Sequence, residues 1–180
     1  MIYETFRISL HEKDRALLEL IQAFFGVGKI FQLAKDSIQY RVSSTKDLKV
    51  IIDHFDKYPL ITQKRADFEL FKQIVEMLSR KEHHTKEGLQ QIVNLRASIN
   101  NGLSDDLKAA FPNITPVQRP QLTVSATCIN PYWLSGFTTG EGSFLVNIFK
   151  TVDTKLGFAV SLRFQITQHI RDEQLIKSLV

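Results

Sequence analysis

The sequence predicts an α+β fold in which one unit, helix–strand–strand–helix–strand–strand–helix with antiparallel sheets, occurs twice and is incomplete each time. Three observations predict it. A glycine-bearing helix over residues 130–142 runs straight into an alternating segment over residues 143–150. A stretch near the start of the chain recurs near its end in the same register. Elsewhere, segments of period two alternate with segments of period 3.6, the pattern of half-buried strands and amphipathic helices.

Residues 3–10 place Phe6 and Ile8 on one side and Thr5, Arg7 and Ser9 on the other, which predicts a strand. Leu17, Leu18, Ile21, Phe24 and Phe25 stripe a helix over residues 14–25, closed by Gly26 and Gly28. Residues 29–33 and 38–43 flank the polar turn Lys35-Asp36-Ser37 and form a hairpin. Thr45 opens a helix that carries Leu48, Ile51, Ile52 and Phe55 and stops at Pro59. A longer helix covers residues 62–80, with Phe68, Phe71, Ile74, Val75 and Leu78 inward. Another covers residues 86–100 and ends at Asn101-Gly102; a short one covers residues 105–111. Residues 111–129 hold Pro112, Pro116 and Pro120 with Ser125 and Thr127, show no apolar periodicity, and read as a linker. After the helix at 130–142, strands at 143–150 and 158–168 flank Asp153-Thr154-Lys155, and a last helix starts at residue 170.

The repeat aligns Phe6, Ile8, His11, Asp14 and Leu17 with Phe164, Ile166, His169, Asp172 and Leu175, with Ser9 against Thr167 and Lys13 against Arg171. A strand enters a helix in both copies, and His11 and His169 suit a capping position at that junction. In the second copy the glycine helix and a strand precede Phe164, whereas only five residues precede Phe6. The expected organisation is residues 1–110 as the later part of a first repeat, 111–129 as linker, and 130–180 as the opening part of a second, both repeats being fragments.

In the glycine helix, Asn130 suits the N-cap and Pro131 the first position. Gly136 and Gly140 inside it should each cost about 1 kcal/mol relative to alanine. They sit four apart beside Ser135 and Thr139, so one face is a strip of small residues that admits a second backbone. Glu141 is a carboxylate at the C-terminal end, where the helix dipole disfavours an anion and a bound cation reverses the penalty.

The run Leu134-Ser135-Gly136-Phe137-Thr138-Thr139-Gly140-Glu141-Gly142 resembles the LAGLIDADG motif of homing endonucleases in its LxGFxxxEG form, with matches at Leu134, Gly136, Phe137, Glu141 and Gly142. The resemblance implies an αββαββα half whose antiparallel sheet curves into a saddle, two such halves being paired through their motif helices at Gly136 and Gly140. It implies intron-encoded, metal-dependent cleavage of double-stranded DNA at a long recognition site by the intact parent. Mg²⁺ would be held by Glu141 with the Gly140 carbonyl, matching the taste of Mg²⁺ for one or two carboxylates plus waters. The partner motif helix is missing here, so this fragment alone lacks a complete site.

Lys64, in Pro59-Leu60-Ile61-Thr62-Gln63-Lys64, is similar to a basic residue that would stabilise charge on the phosphate. The outer sheet faces would read DNA through Thr5, Arg7, Ser9, Lys29, Gln39, Arg41 and Ser43. In the second unit the same role falls to Ser143, Leu145, Asn147, Ser161, Arg163, Gln165 and Thr167. Arg pairs with guanine and Gln with adenine in the major groove. Phe144, Val146 and Ile148 would pack under helices. The family also implies synthesis in the mitochondrion from an organellar gene. Two other readings stay open: an RNA-binding intron maturase of the same fold, and a non-catalytic remnant.

Composition sets the bounds. With 43% hydrophobic and 10% aromatic residues, the chain has material for an ordinary core. A net charge of +4 is compatible with a phosphate backbone and does not by itself identify one. Cys128 is the one cysteine, which excludes an intrachain disulfide framework. No apolar run approaches the roughly eighteen residues of a membrane span.

Overall fold

The computed structural model describes residues 5–121 and 129–179. Ser125, Thr127 and Cys128, named above, and residues 3–4 and 180 of the ranges 3–10 and 130–180 lie outside the described residues. The chain divides into two compact units, Met1–Leu122 and Thr123–Val180.

Unit 1 is built on strands β1 (Phe6–His11), β2 (Lys29–Ala34) and β3 (Ser37–Val42), antiparallel in the order β1-β3-β2. Helix α1 (Arg15–Phe25) joins β1 to the hairpin, and α2 (Thr45–Lys57), α3 (Lys64–Ser79), α4 (Lys86–Ala97) and α5 (Asp105–Ala110) follow. Alternation puts Ile38, Tyr40 and Val42 of the central strand on one face, where they are fully buried. They pack with Leu18 of α1, Leu48, Ile51 and Ile52 of α2 and Val75 of α3. Phe6, Ile8 and Leu10 line the same core. Tyr40 donates its hydroxyl to the Val27 carbonyl at 2.9 Å, so its polar tip is satisfied inside the core. Gly28 is required beside it: its φ is +80°, and a Cβ there would stand 2.7 Å from the Tyr40 ring and 2.8 Å from the Arg41 carbonyl. A second cluster joins Leu70, Ile74, Met77 and Leu78 of α3 to Ile92 and Leu95 of α4.

Unit 2 contains α6 (Pro131–Glu141), a two-stranded antiparallel ribbon β4 (Gly142–Lys150) and β5 (Phe158–Ile166), and α7 (Glu173–Lys177). The sequence repeat is a structural one. In both copies a single 3₁₀ turn separates strand from helix, over Glu12–Asp14 and Ile170–Asp172. His11 Nδ1 accepts from the Lys13 amide at 3.1 Å, and His169 Nδ1 accepts from the Arg171 amide at 3.2 Å. Both histidines cap the turn, in nearly the same backbone conformation (φ −70°, ψ 148° and φ −64°, ψ 148°).

Two expectations need correction. First, part of the segment expected to be linker is fastened within unit 1. Residues 113–119 dock on α4 and α3 through polar contacts: the Thr115 amide donates to Asn94 Oδ1 at 3.0 Å, and Ser98 Oγ donates to the Val117 carbonyl at 2.6 Å. Arg119 closes the clasp, donating to Asp67 Oδ1 and to the Ser98 carbonyl, both at 2.6 Å. The segment's attachment is made by backbone groups and charges, which leave no apolar period to detect. Second, Phe144, Val146 and Ile148 are not under helices. With Val160, Leu162 and Phe164 opposite them, they form an apolar ribbon face 56–79% exposed. Phe6 and Ile8, the counterparts of Phe164 and Ile166, reach a core only because α1 and α2 lie over them. Among the described residues, β5 is followed by a 3₁₀ turn and the short α7.

Removing the clasp leaves Asp67, 6% exposed, with the Asn100 amide, which donates to its Oδ1 at 3.0 Å. Arg119→Ala should lower the unfolding free energy by about 2–3 kcal/mol, read by urea denaturation; a loss under about 0.5 kcal/mol would show that residues 113–119 are not fastened. At Gly142 the first residue of β4 crosses the last turn of α6 so closely that a Cβ would lie 2.6 Å from the Thr138 carbonyl oxygen. Gly142→Ala should destabilise unit 2 by about 1–3 kcal/mol, and Thr138→Ala should not rescue it, because the obstructing atom includes backbone. Rescue would place the conflict in the Thr138 side chain alone.

Candidate functional site

The outer face of unit 1 follows from the register of β3. Arg7 lies opposite Arg41, and Arg41 lies opposite Lys29, so three cations form one row across three strands. Like charges placed directly opposite are destabilising in a sheet. Among the described residues none of the three has an ion-pair partner, although eight other pairs form. The fold therefore leaves their charge available to something outside the chain.

The next row is Ser9, Gln39 and Phe31. Gln39 shares the face with Arg41 but is only 5% exposed. Its Nε2 donates to Ser9 Oγ at 2.9 Å. Its Oε1 accepts from Arg41 Nε at 2.9 Å and from Arg41 Nη2 at 2.7 Å. The Arg41 guanidinium lies over the Phe31 ring, 4.8 Å from its centroid. Phe31 is a further member of this face: the alternation that places Lys29 on it places Phe31 there too. Thr5 is half-buried just before β1, and Ser43 is exposed just past β3.

Lys64 is the first residue of α3, exposed at a cleft of about 330 Å³ that Thr5, Arg7 and Asp67 also line. Asp67 Oδ2 is buried there without a hydrogen-bond partner. Lys64 and Glu141 fall in different units.

In unit 2, Asn130 Oδ1 accepts from the Tyr132 amide at 2.8 Å and starts α6 at Pro131, as the sequence requires. Ser135, Gly136, Thr139 and Gly140 form an exposed strip, and Trp133 and Phe137 stack on each other with centroids 4.7 Å apart. A Cβ built at Gly136 or Gly140 meets nothing within 4 Å. Space for a second backbone is open beside both glycines. Glu141 is exposed as the last residue of α6, held against β4 by the close approach at Gly142. The Gly140 carbonyl belongs to the final turn, whose carbonyls lack intrahelical donors. Together they present two hard oxygen donors, the chemistry that a small divalent cation selects. Among the described residues no group of three or more His, Cys, Asp or Glu side chains is placed to hold a metal ion.

On the ribbon, Ser143 pairs with Gln165, Leu145 with Arg163 and Asn147 with Ser161. These six share one face, opposite the apolar one. Gln165 Nε2 donates to Thr167 Oγ1 at 3.0 Å. No helix among the described residues is long and apolar enough to cross a membrane.

The LAGLIDADG endonuclease family profile matches residues 2–75 and 134–180. A curated relative, probable intron-encoded endonuclease 3 of Neurospora crassa, is 47% identical over 178 residues, which cover 97% of this chain and 33% of that protein. The chain therefore spans about a third of the length of this relative. The crystal structure of the LAGLIDADG meganuclease I-CpaMI bound to uncleaved DNA superposes with a TM-score of 0.96 at 44% identity, covering 99% of this chain and 61% of that one. I-SmaMI bound to its uncleaved DNA target in the presence of calcium ions matches with a TM-score of 0.92 at 43% identity, again over 99% of this chain and 61% of the other. With the profile spanning well over half the sequence, and both of its matched stretches falling on the repeated unit, the chain belongs to the LAGLIDADG endonuclease family.

Proposed function

We propose that the outer sheet faces bind the major groove of double-stranded DNA. We further propose that Glu141, in a protein that also supplies a second motif helix, is one of two carboxylates serving double-strand cleavage at a long site. The observation that carries the DNA reading is the row Arg7–Arg41–Lys29. A folded protein keeps three opposed cations without ion-pair partners at a cost, and the negative field of DNA offsets it. A twisted antiparallel ribbon fits the B-DNA major groove, whereas the major groove of an RNA duplex is too narrow for side chains to read. DNA is accordingly favoured over intron RNA. Arg163, Gln165 and Thr167 with Ser143, Leu145, Asn147 and Ser161 extend the same surface chemistry to unit 2.

Gly136 and Gly140 would receive the second helix, since the space beside them is open. That approach brings two helix tips, and their acids, together. Glu141 and the Gly140 carbonyl would hold Mg²⁺, which when bound supplies an activated water and charge stabilisation for phosphodiester hydrolysis. Lys64 would add positive charge beside the phosphate. Descent from an intron-encoded gene, supported by the name of the Neurospora relative, and its mitochondrial location are part of the same proposal.

Binding of the chain to a duplex DNA should weaken linearly in log salt, and the variant Arg7→Gln/Lys29→Gln/Arg41→Gln should reduce that slope by about 2–3, measured by fluorescence anisotropy. An unchanged slope would remove the row from the interface, and tighter binding to an RNA duplex would favour the maturase reading. In a protein carrying this chain together with a second motif helix, Glu141→Gln should slow Mg²⁺-dependent plasmid cleavage by at least about 100-fold while duplex affinity stays within about threefold. Cleavage that survives would take Glu141 out of the reaction.

A further inference from the structure

We propose that Arg41 is the base-reading residue of unit 1 and that Gln39 positions it without reading a base itself. This assignment rests on the DNA reading above. Glutamine on a groove-facing strand ordinarily invites pairing with adenine, which needs both ends of its amide. Here both ends are taken. Oε1 accepts from two nitrogens of Arg41, and Nε2 donates to Ser9 Oγ. The amide orientation follows from the network, because only the oxygen can face two guanidinium donors. The residue is also nearly enclosed, at 5% exposure, so a base edge has no path to it.

Arg41 is the opposite case. Of the five N–H donors of a guanidinium, Nε–H and one on Nη2 go to Gln39. The end-on pair on Nη1 and Nη2 remains, in the fork geometry that matches guanine O6 and N7. Phe31 stacks under the guanidinium plane, and Gln39 holds its edge. A side chain that would otherwise sample many rotamers is fixed before DNA arrives, which cuts the ordering cost of binding. The chain Ser9–Gln39–Arg41–Phe31 draws on all three strands, so the sheet itself sets the direction of the fork.

The test uses the full chain and a library of randomised duplex DNA, with Arg41→Ala, Gln39→Leu, Gln39→Glu and the double variant Gln39→Leu/Arg41→Ala. Wild type should show a guanine preference of at least about fivefold, the discrimination of one good bidentate pair, at a base pair where Arg41→Ala shows none. Gln39→Leu should lose preference at that same base pair, and the double variant should lose no more. Gln39→Glu keeps an acceptor for Arg41 and should retain the preference, although its charge weakens binding to all sequences alike. Loss at a different base pair, or loss in Gln39→Glu equal to that in Gln39→Leu, would make Gln39 a reader and overturn the assignment. A second readout needs no DNA. The Arg41 Nε–H, followed by NMR, should exchange slowly in wild type and in Gln39→Glu and at least about tenfold faster in Gln39→Leu. Equal exchange in all three would overturn the clamp. A protected Nε–H in a wild-type protein that selects no sequence would instead overturn the DNA reading, and Arg41 would lose its role as reader with it.

Discussion

The register of the central strand β3 is the constraint on which unit 1 depends. One residue of slip would exchange its faces. Ile38, Tyr40 and Val42 would then leave the core, and Gln39 and Arg41 would enter it. The alternative is closed by burial: the apolar set is fully enclosed, and the Tyr40 hydroxyl is tied to the Val27 carbonyl. Gly28 adds to the lock, because the chain passes the Tyr40 ring where no side chain fits. The same register that packs the core stacks Arg7, Arg41 and Lys29 into one row. Core and charged face are two readings of one alignment.

Unit 2 shows the corresponding constraint at a helix tip. Gly142 lets β4 leave α6 in contact with its last turn, and this leaves Glu141 exposed at the dipole's negative end. The local electrostatics oppose that acid. Local stability gives no reason for it; under the proposed function the reason would be what approaches the tip. The open space beside Gly136 and Gly140 carries the same implication for the helix flank. Under the proposed function, an acid at an unfavourable pole and glycines with open space beside them would both be explained by one event, the arrival of a second motif helix.

The repeat also explains why the two units differ in finish. β1 and β5 carry the same alternation, and the turns after them share caps and backbone angles. In unit 1 helices cover the apolar side of the strand. In unit 2 the matching side of the ribbon is largely exposed. Equal local sequence thus produces equal local structure, while burial depends on which elements follow.

The sequence by itself determined the α+β class, the repeat, the order of strands and helices and the motif helix, including its cap at Asn130 and its end at Gly142. These rest on periods, caps and glycines, all of which act within a few residues of one another. It also assigned the cations of unit 1 to one face, since parity along a strand is a local property. Tertiary structure decided the rest. Arg7, Arg41 and Lys29 became a row only when three strands aligned, and Gln39 changed from an open side chain to an enclosed one when Ser9, Arg41 and Phe31 closed round it. The clasp of Arg119 on Asp67 joins residues far apart in the chain through charges and backbone groups. No local pattern encodes such partners, because a hydrogen bond between distant residues has no period.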